Sequence, residues 1–213
     1  LPRKQQLLGW ASQHEAWIVE DDYDGEFHYT RKVLPSLKSL DQHDRVIFMG
    51  TFSKTIMPSL RMGYIVMPAS TVEAFTDCVD IVASGQPVLT QKSLTAFLNE
   101  GHFFRHLKKM RALYQTRRDW MIAALREVYG DLFFTEQNDG GMHIVAFLTR
   151  GSGDREIARC WQEQQLQVNA LSEWYRGSGK RYGLVMGYNN VRSYEEAVEL
   201  LERPKRRTLE LLS

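Results

Sequence analysis

Between Met49 and Met62 the chain has only about a dozen residues, Pro58 among them, in which to leave one apolar run and enter the next. The two runs, Arg45 to Gly50 and Arg61 to Met67, read as strands. A parallel neighbour needs a crossover long enough to hold a helix, and this link is too tight for one. The third strand is therefore expected to run antiparallel to the second. A shorter run, Ala16 to Val19, reads as a first strand, followed by a polar, turn-rich segment from Phe27 to Asp44 that contains Leu34-Pro35-Ser36-Leu37. Together the three strands predict a mixed sheet.

Helical spacing opens and follows this sheet. Leu1 to Ala11 suits an amphipathic helix with Pro2 in its first turn, and a chain beginning on Leu reads as a piece of a longer polypeptide. Beyond Pro68, Ser70 or Thr71 is placed to cap a helix through Val72-Glu73-Ala74-Phe75. A break at Ser84-Gly85-Gln86-Pro87 precedes a helix from Thr90 to Asn99. Phe103, Leu107, Met110, Leu113, Tyr114, Trp120, Met121, Ala124, Leu125 and Val128 fit one long amphipathic helix ending at Tyr129, with Gly130 as its stop. The remaining third alternates: strands at Leu132–Thr135 and Met142–Leu148, a helix at Asp154–Gln165, a strand at Tyr182–Tyr188 and a helix at Tyr194–Glu202. This reads as a compact α+β unit. The domain boundary falls near Gly101, giving residues 1–101 and 102–213, with the long helix as the bridge.

Composition narrows the class. The 213 residues are 43% hydrophobic and 25% charged, with a formal net charge of +1, which suits a chain with a sizeable core and gives no general electrostatic attraction to nucleic acid or membranes. No apolar stretch approaches the roughly 20 residues of a spanning helix. Cys78 and Cys160 read as free thiols of a reducing compartment, the cytoplasm. His102 and His106, at i and i+4, lack a following Glu and a third ligand, so they read as surface residues and no metal is expected. His143 reads as a satisfied structural histidine, and Arg203-Pro204-Lys205-Arg206-Arg207 as a solvated tail.

The chemistry lies where the first two strands end. One delivers Glu20-Asp21-Asp22-Tyr23-Asp24, the other Gly50-Thr51-Phe52-Ser53-Lys54. Taken singly, a lysine after a strand is a loop residue and an acidic cluster a turn or cap. Together they supply an amine for a Schiff base, a carboxylate to keep a ring nitrogen protonated, and hydroxyls beside an arginine for a phosphate. Those are the needs of pyridoxal 5'-phosphate.

Three segments carry a resemblance: Glu20 to Phe27, Gly50 to Lys54 followed by Pro58-Ser59-Leu60-Arg61, and Glu100-Gly101-His102-Phe103 leading to Arg105-His106-Leu107 and Met110-Arg111. In order and spacing they resemble the aminotransferase-like domain of the MocR/GabR regulators, over essentially the whole chain. The resemblance implies an α/β fold, part of the large domain of fold-type I pyridoxal-phosphate transferases followed by a small C-terminal α+β domain. It implies Lys54 as the internal aldimine lysine, Asp21 as partner of the pyridinium nitrogen and Tyr23 as donor to the phenolic oxygen. Asp22 and Asp24 compete for the role given to Asp21. Thr51, Ser53 and Arg61 are implied as the phosphate cup.

Aminotransferases commonly clamp the substrate carboxylate with an arginine in the last strand of the small domain. Here that strand, Gly183 to Tyr188, carries no cation, and only Arg181 and Arg192 flank it. Full transaminase turnover is correspondingly disfavoured. The resemblance also places an aromatic that stacks on the cofactor, and an asparagine, upstream of Leu1. The expected function is an effector-sensing domain that binds an amine or amino acid as an external aldimine. Such domains form homodimers and reach DNA through an N-terminal winged helix-turn-helix. The alternatives are a free-standing class I/II aminotransferase and a fold that binds no cofactor.

Overall fold

The computed structural model describes residues 1–29, 34–83, 87–136 and 140–212. They form two compact units, Leu1–Lys109 and Met110–Ser213, dividing within a long helix. The predicted break at Ser84-Gly85-Gln86 lies outside the described residues.

In the first unit, α1 (Pro2–Gln13) leads into β1 (Ile18–Asp22), α2 (Leu37–Leu40), β2 (Val46–Thr51), α3 (Phe52–Thr55) and β3 (Gly63–Val66). α4 (Val72–Ala83) and α5 (Val88–Asn99) follow. The sheet order is β1-β2-β3, with β1 parallel and β3 antiparallel to β2, as the short link through Pro58 predicts. β1 runs further than its apolar letters suggest, because pairing with β2 carries extended backbone on through Glu20, Asp21 and Asp22. Glu20 then ties the sheet to α2: its carboxylate accepts the N–H groups of Leu37 and Lys38 at 2.8 and 3.0 Å, the donors a helix start leaves without partners. Ala11, Phe27, Val46, Ile47, Leu94, Phe103 and Leu107 are buried in this unit.

α6 (His102–Tyr129) is one continuous 28-residue helix that leads the chain from the first unit into the second. There follow β4 (Phe133–Thr135), β5 (His143–Leu148), α7 (Asp154–Glu163), β6 (Val168–Ala170), β7 (Gly183–Gly187), α8 (Tyr194–Glu202) and α9 (Lys205–Leu212). Strands order as β4-β5-β7-β6, all antiparallel. Met121, Ala124, Leu125 and Val128 of α6 pack with Ile144, Trp161, Leu184 and Leu201 in one core.

Two expectations need correction here. The basic run is no tail: it opens α9, Pro204 is fully buried, and the Trp161 indole donates to buried Thr208 at 2.9 Å. The apolar contacts of a helix this short are too sparse to show in its letters. His143, read as a satisfied structural histidine, is exposed at the first position of β5.

Candidate functional site

All of the predicted cofactor residues lie in the first unit, at or just beyond the ends of its strands. In the parallel pair Asp21 stands opposite Met49 and Asp22 opposite Gly50, so β1 and β2 finish side by side. Ligands of α/β sheets sit in the crevice beyond such carboxyl ends. Tyr23 follows β1 directly. β2 ends on Thr51 and passes without a loop into α3, which bears Ser53 and Lys54. Arg61 precedes β3, whose Gly63 pairs with Thr51.

Period-2 alternation puts Asp21, Met49 and Thr51 on one face of the sheet, with Glu20, Asp22 and Gly50 on the other. This sorts the three carboxylates. Asp22 is committed to its own turn: Oδ1 accepts the Gly25 N–H at 2.8 Å, and a Cβ on Gly25 would fall 2.3 Å from that oxygen. Asp24 acts on Tyr23. Burial first, then the charges of Asp24 and Asp21, push the Tyr23 phenol above its ordinary pKa, which keeps it a protonated donor. Asp21 itself is exposed and, among the described residues, makes no ion pair or side-chain hydrogen bond.

The lysine turn is held from several sides. Thr51 caps α3: its hydroxyl accepts the Ser53 N–H at 3.1 Å and donates to the Met62 carbonyl at 3.4 Å. The Phe52 N–H donates to Met62 as well, at 2.9 Å. Thr55 is buried, and its carbonyl accepts from His106 Nε2 at 2.8 Å. His106 thus serves the first unit, whereas its i−4 neighbour His102 lies between Glu100 (3.0 Å) and Arg105 (2.8 Å). Among the described residues no group of three metal-binding side chains converges.

Lys54 and Arg61 are exposed and form no ion pair or side-chain hydrogen bond among the described residues. Arg61 is also held in the left-handed region, at φ 48° and ψ 39°, a conformation that costs a non-glycine residue about 1 kcal/mol or more and recurs at ligand sites. Tyr64, paired with Gly50, lies on the sheet face of Asp22 rather than that of Asp21. Its ring lies over Gly50, where an added Cβ would come within 2.3 Å of Cζ. A cleft of about 920 Å³ runs beside it, lined by Arg61, Met62, Ile65, Val72 and Phe75 among others.

The donor set suits a phosphorylated carbonyl compound: the Lys54 amine, the Arg61 guanidinium, the Ser53 hydroxyl and the Asp21 carboxylate all lie at or just beyond the ends of the three strands. Thr51 fits less directly, since its hydroxyl is engaged in capping α3. Arg181, a flanking candidate for a carboxylate clamp, is already paired with Glu136 at 2.6 Å and stacked 3.6 Å from the Phe147 ring centroid. Arg192 is exposed, and its backbone N–H donates to Glu196.

A mixed sheet with lysine, acid and phenol at the carboxyl ends of its parallel pair, followed by an antiparallel α+β unit, is the fold of the fold-type I pyridoxal-phosphate aminotransferases. The kynurenine aminotransferase of Pyrococcus horikoshii superposes with a TM-score of 0.86 at 24% identity, over 100% of this chain and 52% of that one. The chain belongs to the family Aminotransferase class I and II, which it matches over residues 2–176. Among its relatives, the probable rhizopine catabolism regulatory protein MocR of Rhizobium meliloti is 38% identical over 185 residues, 87% of this chain and 38% of that protein. The HTH-type pyridoxine biosynthesis transcriptional regulator PdxR of Corynebacterium glutamicum is 32% identical over 192 residues, 88% of this chain and 40% of that protein. The chain thus spans about two fifths of the length of these relatives. No helix among the described residues is long and apolar enough to cross a membrane.

Proposed function

We propose that this chain is the pyridoxal-phosphate-holding, effector-sensing part of a MocR/GabR-type transcription regulator. In this reading it works in the cytoplasm as a homodimer and reaches DNA through a winged helix-turn-helix N-terminal to it. The observation that carries the reading is the parallel pairing of β1 with β2, in which Asp21 stands opposite Met49 on the strand that leads directly into the turn bearing Lys54. The regulator relatives support it, and so does a last strand, Gly183–Gly187, with no cation for a substrate carboxylate.

When bound, pyridoxal phosphate supplies an aldehyde that condenses with primary amines and a ring that withdraws electrons. Lys54 would be the amine that holds the aldehyde. The Asp21 carboxylate keeps a proton on the ring nitrogen, and the Tyr23 hydroxyl, kept protonated by burial and its acidic neighbours, donates to the phenolic oxygen. Arg61 and Ser53 would hold the phosphate, with Thr51 contributing mainly by capping the turn that bears Ser53, and the guanidinium would provide most of the attraction. An amine or amino acid would compete with Lys54 for the cofactor's carbonyl, and differential contacts to the two states would give the rest of the protein its signal.

Titrating the full-length protein with pyridoxal phosphate tests this. The visible band of the lysine-bound cofactor is expected in the wild type and lost in Lys54→Ala; an unchanged band in the variant would remove Lys54 from the site. Adding candidate amines then separates sensing from catalysis. A sensor produces at most one equivalent of keto acid per site, while many equivalents would favour a free-standing aminotransferase.

A further inference from the structure

α3 is only four residues long, and a helix of that length has no cooperative stability of its own, so the surrounding structure must hold it. Its start is fixed by the Thr51 cap and by the Met62 carbonyl. Its end is closed by a single backbone bond, Ile56 N–H to Phe52 carbonyl at 2.9 Å, which leaves the Thr55 carbonyl without a helical partner. Thr55 is 2% exposed, so water cannot readily satisfy that oxygen. His106, reaching from the first turns of α6, does so at 2.8 Å.

A carbonyl only accepts, so the bonded ring nitrogen must carry the hydrogen, and the contact selects the Nε2–H form of His106. The neighbouring residues make this a grip rather than a lone bond. Phe103, three positions earlier on the same helix face, sets its ring edge-on to Phe52 with centroids 5.9 Å apart. Phe97 meets the His106 ring edge-on at 6.4 Å. One face of α6 therefore holds both ends of α3, and Lys54 lies between the two held residues, Phe52 and Thr55.

We propose that His106 is a positioning residue for Lys54. By donating Nε2–H to the Thr55 carbonyl it fixes the turn from which the reactive amine projects, and it ties that turn to a helix that continues into the second unit. The inference rests on the cofactor reading above for its purpose, and on the Thr55 contact for its geometry.

The test compares His106→Leu, which keeps bulk and removes the donor, with His106→Gln, which restores an N–H at similar reach. In the cofactor-free full-length protein, amide hydrogen exchange in the segment 52–57 is expected to quicken about fivefold in the Leu variant, the worth of one neutral hydrogen bond, and to recover in the Gln variant. Exchange in β5 and β7 is expected to stay unchanged in both. The affinity for pyridoxal phosphate should fall and recover in parallel. Wild-type exchange in His106→Leu, or a Gln variant no better than Leu, would overturn the clamp. Faster exchange with unaltered cofactor affinity would overturn its role toward Lys54. If the Leu variant does not fold, nitrogen NMR of the wild-type ring decides: the Nε2–H tautomer is expected, and an Nδ1–H ring would refute the proposal. A visible band that survives Lys54→Ala overturns the site reading instead, independently of the exchange result.

Discussion

Gly50 offers the sharpest test of how the sheet shapes the site, because it lies between Met49, opposite Asp21, and Thr51, the cap of the lysine turn. In Gly50→Ala the new Cβ would meet Tyr64 at 2.3 Å from Cζ, 2.5 Å from Oη and 2.6 Å from Cε1, all inside contact distance. Overpacking of this kind costs about 1–3 kcal/mol. Against that, replacing glycine by alanine at a negative φ restricts the unfolded chain and returns about 0.5–1 kcal/mol. A net loss of about 1–2 kcal/mol is expected, or roughly 0.5–1 M in urea midpoint for a slope near 2 kcal/mol/M. The sign of the effect should invert in a Tyr64→Ala background. There the clash is gone and only the unfolded-state term remains, so adding Gly50→Ala should be neutral or stabilising by about 0.5 kcal/mol. Tyr64→Ala alone is destabilising through its contacts with Phe52 and Phe48, at 5.2 and 6.1 Å between centroids. Equilibrium urea unfolding of the four proteins at one concentration measures the cycle. Equal costs of Gly50→Ala in both backgrounds would refute the argument that Tyr64 forces glycine at this position.

Asp154 is fully buried and accepts the Ser172 N–H and hydroxyl, both at 2.8 Å, and the Gly183 N–H at 3.2 Å. Asp154→Asn turns part of that acceptor into a donor and should cost about 2–4 kcal/mol in urea unfolding of the second unit. Thr208→Val leaves the buried Trp161 N–H without its acceptor and is expected to cost about 1–3 kcal/mol, a loss that a solvated tail would not produce. Asp41 concerns pH. Burial alone would push its carboxyl up, but the N–H groups of His43, Val46 and Arg45, with Lys38, outweigh this and hold it below the ordinary 3.8. Its contribution is therefore fully present above that value and is lost as pH falls through the lower folded one. In acid titrations monitored by circular dichroism, Asp41→Asn should flatten the acid limb of stability below about pH 4 and leave the slope above pH 5 unchanged.

Much of the site was legible because it follows a local rule: apolar strands announce themselves, and the residues that end them are known by position. The antiparallel turn of β3 followed from a link too short for a crossover, and the 28-residue helix from its spacing. How Asp21, Asp22 and Asp24 differ in surroundings was not legible in the same way. It depends on the register of β1 on β2 and on the Asp22–Gly25 bond, which the letters alone do not contain.

Besides α9, the elements missed were short ones. α2, α3 and β6 have three or four residues each, too few to show a period. They exist because distant groups satisfy their ends: Glu20 for α2, His106 for α3, and for β6 the pairing with β7. The amino-acid order by itself determined which reactive groups stand at strand ends, since that depends on neighbours along the chain. Tertiary structure alone decided which carboxylate its own turn engages, which glycine lies under a tyrosine ring and which histidine reaches the Thr55 carbonyl. Each of those outcomes depends on a partner brought near only by folding, in one case 51 residues away.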